Sequence, residues 1–291
     1  MYNTSELRIA KQLHDIVEAE LSKLGLLCRV FSRAKSEQSI NTKIERSPGK
    51  YTSTGKKIQD AFGLRVALYF LDDQQIAIET LKKIFTYDDL SSTIDKPSGE
   101  IFSATRCNLI FKLPEELSAS SSIIRGNNLI DDTFELQIRT VLSEGWHEVD
   151  HDLRYKCKED WGKHSDLDRA LNGIYASLET ADWSMLKLLE DLAYRHYKAS
   201  EWTQMLRAKF RLRSNGVLSN DICSLLNEEL EIGKKLYRTD RRTLMQELAK
   251  RKISLPINPD NIVYLCNFLF IKSDKINKIT PLPILDALNE Q

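Results

Sequence analysis

The chain has 291 residues, enough for two domains and a sizeable core. Lys plus Arg and Asp plus Glu stand at 42 each, so overall charge selects neither nucleic acid nor a membrane surface as partner. Apolar residues make up 42% and charged residues 29%, the composition of an ordinary globular protein. The five cysteines are odd in number, widely spaced and form no CxxC pair, which argues against a disulfide framework or a cysteine zinc site. The opening MYNTSELRIAK has no signal-type apolar region, and no run reaches transmembrane length. A cytoplasmic location with no membrane partner is the expectation.

Residues 5–24 place Leu13, Ile16, Val17, Leu21 and Leu24 at helical spacing. Residues 26–35, LLCRVFSRAK, predict a strand running into a loop, and 36–46 a short helix or an ordered loop. LRVALYFL at 64–71 is a nearly continuous apolar strand. The helix expected after it, DDQQIAIETLKKIF, starts acidic and ends basic, as the helix dipole favours. RCNLIFKLP at 106–114 predicts a strand stopped by Pro114. Residues 117–131 are rich in Ser and Asn and predict an exposed loop. A strand at 133–138 and a helix at about 140–156 follow.

From about residue 165 the pattern is helical. Leu167, Leu171, Ile174, Leu178, Met185, Leu188, Leu189 and Leu192 trace one apolar face of a long helix. Shorter helices are expected at 201–213, 221–236, 240–251 and 259–272. The expected organisation is α+β: a mixed sheet flanked by helices over residues 1–198, then an all-helical domain over 199–291.

Three stretches carry chemistry. In the strand at 133–138, Phe134, Leu136 and Ile138 face one way and Glu135, Gln137 and Arg139 the other. A carboxylate and a guanidinium on one face suit a metal–phosphate site better than core packing. The run from Arg33 to Arg46 brings basic residues and Ser39 to a turn, which can hold a polyphosphate or simply form a solvated basic face. Asp60 precedes the apolar strand and reads either as a cation ligand at the strand edge or as a turn cap.

Taken together, these stretches resemble the RelA/SpoT family of nucleotide pyrophosphokinases. Arg33, Lys35, Ser39 and Lys43 match that family's RxKxxxSxxxK loop. Asp60, Gly63 and Arg65 match DxxGxR, and residues 135–156 match ExQIRT…W…H…YK. The resemblance covers roughly residues 5–195 and implies a nucleotidyltransferase-like synthetase core. It implies ATP as pyrophosphate donor, with Arg33, Lys35, Ser39, Lys43 and Arg65 binding it. Arg33 and Arg65 would sandwich the adenine, since a guanidinium is planar and stacks well. Asp60 and Glu135 would be the catalytic carboxylates and the ligands of Mg²⁺ or Mn²⁺. Gln137, Arg139, His151 and Lys156 would support them. The acceptor would be the 3′-hydroxyl of a nucleotide or of an RNA end such as tRNA, in a toxin or phage-defence role.

One family element is altered. Aligned on Lys112-Leu113-Pro114, the GYxxxH motif is replaced by Ser103, Ala104 and Asn108, so the ring that stacks on an acceptor guanine is missing. Phe102 or Gly99 could belong to a shifted version of that loop. The alternative function is therefore a degenerate synthetase core that binds or senses nucleotide without turnover. A competing motif, HExxH at His147–His151, would suit zinc hydrolysis, but no third ligand follows at the spacing such helices use. Residues 200–291 hold 15 Lys and Arg against 11 Asp and Glu. The clusters Arg207–Arg213, Lys234–Arg242 and Lys250–Lys252 read either as an RNA-binding surface or as solvated helix faces.

Overall fold

A computed structural model describes residues 4–95, 105–214, 216–251 and 255–290. The chain divides into two compact units, residues 1–19 with 28–180, and residues 20–27 with 181–291. The boundary expected near 198 coincides with the end of a long helix, α8 (Ser165–Lys198), whereas the units part inside that helix. No helix of the described residues is long and apolar enough to cross a membrane.

The first unit is built on a five-stranded mixed sheet. Its strands are β1 (Cys28–Ala34), β2 (Phe62–Leu68), β3 (Tyr87–Ile94), β4 (Cys107–Lys112) and β5 (Thr133–Thr140). Their spatial order is β1-β2-β5-β4-β3. Only β2 and β5 run parallel; the other neighbouring pairs are antiparallel. The most apolar strands therefore sit inside and the polar β3 lies at an edge, where one row of backbone groups can meet water. Period-two alternation then separates two faces. Leu64, Val66, Phe134, Leu136, Leu109 and Phe111 are fully or nearly fully buried on one face. Phe85, Phe111 and Phe134 pack there with ring centroids 5.0–5.9 Å apart. The opposite face carries the polar positions of β1, β2 and β5.

The helices α1 (Thr4–Lys23) and α3 (Gln74–Ile84) fall where the sequence places them, and of the two readings left open for 36–46, helix or ordered loop, the chain forms the helix α2 (Glu37–Glu45). Several expectations are corrected. The apolar run 64–71 is strand only to Leu68, and Leu71–Asp73 turn as a short 3₁₀ segment into α3. The strand β3 is not legible in its sequence, YDDLSSTI, because neither face is apolar. Residues 117–131 are not an exposed loop, since α4 (Glu115–Ser120) and α5 (Ser122–Gly126) occupy much of this span. Their anchor is Glu6 of α1, whose buried carboxylate accepts from Ser121 Oγ, Ser122 Oγ and the Ser122 backbone N–H, each at 2.9 Å. A contact across more than a hundred residues of chain turns a polar segment inward.

The expected helix at 140–156 is α6 (Val141–Val149), capped by Thr140 and Ser143, and it then widens into a π-helical turn at Asp150–Tyr155. A four-residue helix, α7 (Lys158–Trp161), precedes α8. The apolar stripe of α8 is largely open: Leu167, Ile174 and Leu188 are exposed.

The second unit is helical: α9 (Trp202–Phe210), α10 (Asn220–Glu228), α11 (Leu230–Arg238), α12 (Arg241–Arg251), α13 (Pro259–Cys266), α14 (Asp274–Ile279) and α15 (Leu282–Asn289). The single helix expected at 221–236 breaks at Glu229, whose backbone leaves the helical region. The expected helix at 259–272 is α13 extended by a π-helical stretch, Asn267–Ile271. Trp202 organises this core. Its indole lies against Gly233, where an added Cβ would fall 2.6 Å from the ring, and its Nε1 donates to Asn227 Oδ1 at 2.8 Å.

Candidate active site

The polar face of the sheet gathers most of the residues singled out by sequence. Arg33 on β1 pairs in register with Gly63 on β2, and Gly63 pairs with Glu135 on β5. The next row is Phe31, Arg65, Gln137 and Asn108. Because cross-strand partners share a face, these two rows project together. Gly63 leaves a trough in which Arg33 lies, since a Cβ there would touch Arg33 Nε at 3.4 Å. A cavity of about 160 Å³ opens above them, lined in part by Arg33, Arg65, Glu135, Gln137 and Glu148.

At the end of these rows, Lys35 and Lys43 converge on Asp60. Lys35 follows β1, and its backbone N–H bonds Ala61 O at 2.8 Å, fixing the strand end beside the Asp60 segment. Its ammonium bonds Asp60 Oδ2. Lys43, in the last turn of α2, donates to Asp60 Oδ1 and Oδ2 at 2.8 and 2.7 Å. Ser36 caps α2 by accepting from the Ser39 N–H, and the Ser36 and Ser39 hydroxyls are 2.9 Å apart. Ser39 is thereby set, exposed, in the first helical turn on the way to Lys43.

The electrostatics of the two carboxylates diverge. Burial would raise the pKa of Asp60, but the charges and hydrogen bonds of Lys35 and Lys43 outweigh it and hold Asp60 below the ordinary aspartate value. Glu135 is pushed above the ordinary glutamate value of 4.5, first by burial and then by the negative charge of Asp60. Asn108 Nδ2 donates to Glu135 Oε1 at 3.2 Å, and Gln137 Nε2 to Glu135 Oε2 at 3.3 Å. Lys35 is held below its ordinary value by desolvation, partly offset by Asp60. Lys43 is raised, because its bonds and attraction to Asp60 exceed its own desolvation.

Arg65 and Arg139 are braced by a pair of glutamates: Glu144, which sequence reasoning overlooked, and Glu148, which it had placed in the HExxH motif. Arg65 Nη1 lies 2.5 Å from Glu144 Oε1 and 2.5 Å from Glu148 Oε1. Arg139 reaches Glu144 Oε2 at 3.2 Å and Gln137 Oε1 at 2.9 Å. Glu144 and Glu148 are four residues apart on α6, the spacing that sets two side chains on one helix face. That spacing, directly after the strand that carries Arg139, was the available signal.

His151 and Lys156 do not join this group. Both bond the exposed carboxylate of Asp152, at 2.8 and 2.6 Å. His151 lies in the π-helical turn Asp150–Tyr155, outside the α-helical stretch that carries His147. His147 packs against Trp146 and Tyr175, and burial, then Arg139 and Arg65, push its pKa down to about 3. Glu148 serves Arg65. The three fixed residues of HExxH therefore have three different surroundings, and among the described residues no cluster of three His, Cys, Asp or Glu side chains supports the zinc reading. Phe102, Ser103, Ala104 and Gly99 lie outside the described residues.

The family model described as "Region found in RelA / SpoT proteins" matches residues 32–160, the span from the residue before Arg33 to beyond Lys156. Residues 32–160 are a RelA/SpoT region. The chain is 28% identical over 136 residues to GTP pyrophosphokinase YwaC of Bacillus subtilis (strain 168), a match covering 44% of this chain and 59% of that protein. The chain thus spans about three-fifths of the length of the curated relative it matches. Among solved structures it is similar to small alarmone synthetase 1 from Bacillus subtilis, with a TM-score of 0.48 and 23% identity over 63% of this chain and 92% of that one. The same enzyme bound to its product pppGpp gives a TM-score of 0.48 with 21% identity, covering 64% and 93%. Small alarmone synthetase 2 from Bacillus subtilis gives 0.43 with 24% identity, covering 62% and 91%. The RelA/SpoT region ends within the first compact unit.

Proposed function

We propose that the RelA/SpoT region transfers pyrophosphate from ATP to the 3′-hydroxyl of a nucleotide or of an RNA end. The observation that carries this reading is Asp60 clasped by Lys35 and Lys43 beside a Glu135 of raised pKa. Two carboxylates whose environments push their pKa values apart divide the work of a site. Asp60 stays ionised. Glu135 is the better proton acceptor. Both offer hard oxygen atoms, and their mutual repulsion is relieved by a cation, which suits Mg²⁺ or Mn²⁺. An ion held by Asp60 and Glu135 would supply charge neutralisation at the triphosphate.

The remaining roles belong to the chain's own side chains. Lys35, Lys43 and the Ser39 hydroxyl meet the phosphates, with Lys43 and Lys35 exchanging part of their bond to Asp60 for phosphate oxygens. Arg33 and Arg65 hold the adenine. Glu135 takes the proton of the acceptor hydroxyl as its oxygen bonds the β-phosphorus, and the bond from the β-phosphorus to the α-bridging oxygen breaks so that AMP leaves. Such transfers depend on positioning and charge stabilisation more than on covalent help. Gln137 and Asn108 orient Glu135, while Arg139 and Glu144 keep Arg65 in place.

The RNA-end version draws on the basic second unit, where several cations already have partners. Lys234 pairs with Glu231 and Arg251 with Glu247, each within 3.0 Å. Lys275 pairs with Glu229, and Arg241 is buried, with Nε on Phe210 O at 2.5 Å. These pairings favour solvated helix faces over a continuous phosphate track, so a free nucleotide and a tRNA end stand as rival acceptors. The nucleotide-sensing alternative draws on Asn108, an amide that steadies Glu135 but cannot relay a proton as an imidazole can. Incubation with γ-³²P-ATP and separate pools of GDP, GTP and total tRNA tests the reading. Label should move into one pool. ATP binding without transfer to any pool would favour the sensor.

A further inference from the structure

Phe31 occupies a position on β1 where alternation calls for a polar side chain. Cys28, Val30 and Ala34 are buried, whereas Arg29, Phe31 and Arg33 point to the open face. Phe31 is 51% exposed, although a phenylalanine gains roughly 1.5–3 kcal/mol from full burial. The pleat itself turns the ring outward, since Phe31 shares its parity with Arg29 and Arg33, so an apolar ring stands where the strand shows its open face. The ring stands two residues before Arg33 on the same face and directly across from Arg65. With both arginines it lines the cavity above Gly63 and Glu135.

We propose that Phe31 is a third wall of the donor-base subsite and binds the adenine ring of ATP by stacking. The proposal rests on the pyrophosphokinase reading and adds a residue that its motifs do not contain. Guanidinium groups at Arg33 and Arg65 offer flat, cationic surfaces, and the tip of Arg65 is held by Glu144 and Glu148. An aromatic ring between their stems supplies an apolar surface fixed by the strand, which a purine covers at little entropic cost. Stacking carries no hydrogen-bond code, so Phe31 contributes affinity for a base, while selection of adenine over other bases falls to polar groups. The triphosphate, held at Lys35 and Lys43, lies beyond its reach along the sheet rows. Phe31 is accordingly a positioning and affinity residue for the base alone.

Two probes separate the parts. One is an ATP analogue with a methylene bridge between the α- and β-phosphorus atoms, which cannot be cleaved. The other is inorganic tripolyphosphate, which has no base. Both are titrated calorimetrically with Mg²⁺ into the full chain and into Phe31→Ala, Phe31→Leu and Phe31→Trp. Phe31→Ala should weaken the analogue by about 5- to 100-fold. Tripolyphosphate should change by less than twofold. Phe31→Trp should retain the analogue, and Phe31→Leu should lie between, since it keeps apolar volume without a π-face. Equal binding of the analogue by the native chain and Phe31→Ala would overturn the proposal alone, as would parallel losses for both probes. A native chain that binds neither probe would overturn the donor reading and this proposal together.

Discussion

Lys43 lies 17 residues before Asp60 in sequence, yet its ammonium sits 2.8 and 2.7 Å from the two oxygens of that carboxylate. The helix α2 makes this possible by turning the chain after β1 so that its last turn faces the strand end at Asp60. Lys35 holds the same carboxylate from the other side. Three charged groups, half-buried together, are costly unless they are paired, and removing one partner leaves the others uncompensated. A site of this kind is ready to trade one ion pair for phosphate oxygens.

Lys43→Met should therefore impair donor handling more than folding. We expect the Kd for ATP to rise at least tenfold and label transfer to fall about 10²-fold, the usual scale for a lost electrostatic stabiliser. Equilibrium binding with the uncleavable analogue, beside thermal melts, checks both parts. Unchanged ATP affinity with a lowered melting temperature would assign Lys43 a purely structural role.

With Glu135 as the proposed base, the transfer should be pH-dependent. A general base must be deprotonated, and its pKa lies above 4.5 because of burial and Asp60. The transfer rate should thus fall on acidification with a midpoint above 4.5. Asp60, whose pKa is lowered, should stay ionised through that range. Asn108→Asp would place a second negative charge against Glu135 in place of a donor, moving the midpoint to still higher pH. A pH–rate profile for both proteins reads the shift, and a midpoint unmoved by Asn108→Asp would remove Asn108 from contact with the reacting base.

Much of this site was legible because its motifs report local geometry. Alternation in residues 133–138 assigns Glu135, Gln137 and Arg139 to one face, and β5 places all three there. The spaced cations and Ser39 fall on one strand end and one short helix, so their convergence needs few contacts distant in sequence. The less legible parts depend on long-range pairing. The edge strand β3 has no apolar face to announce it. Ser121 and Ser122 look like loop residues until Glu6 accepts their hydrogen bonds. Glu144 carries no motif, and Glu148 suggested only a zinc helix, until β2 brings Arg65 to them. His151 and Lys156 match a motif, but the π-helical turn directs both to Asp152. Phe31 went unread because a phenylalanine in a strand is ordinarily core, and only its parity with Arg29 and Arg33 marks it as outward.

Glu6 offers a test of the fold independent of catalysis. Its buried carboxylate accepts from two hydroxyls and from the N–H of Ser122 at the start of α5. Glu6→Ala leaves those donors unmet and should cost about 1–3 kcal/mol. Glu6→Gln, which keeps the shape and one acceptor, should cost less. Urea denaturation of the three proteins gives the comparison, and a loss below about 0.5 kcal/mol for Glu6→Ala would mean that α4 and α5 are anchored by Leu117 and Ile123 instead.

The most direct measurement follows γ-³²P from ATP into acceptor pools for the native chain, Asp60→Asn and Glu135→Gln, all with Mg²⁺. Both variants keep the size of the carboxylate they replace. The native chain should label GDP, GTP or tRNA, releasing AMP in equal amount, and each variant should lose about 10²-fold or more of that rate while retaining native circular dichroism. Label transfer that persists in both folded variants, or a native chain that binds ATP and labels no acceptor, would contradict pyrophosphate transfer at the Asp60–Glu135 site.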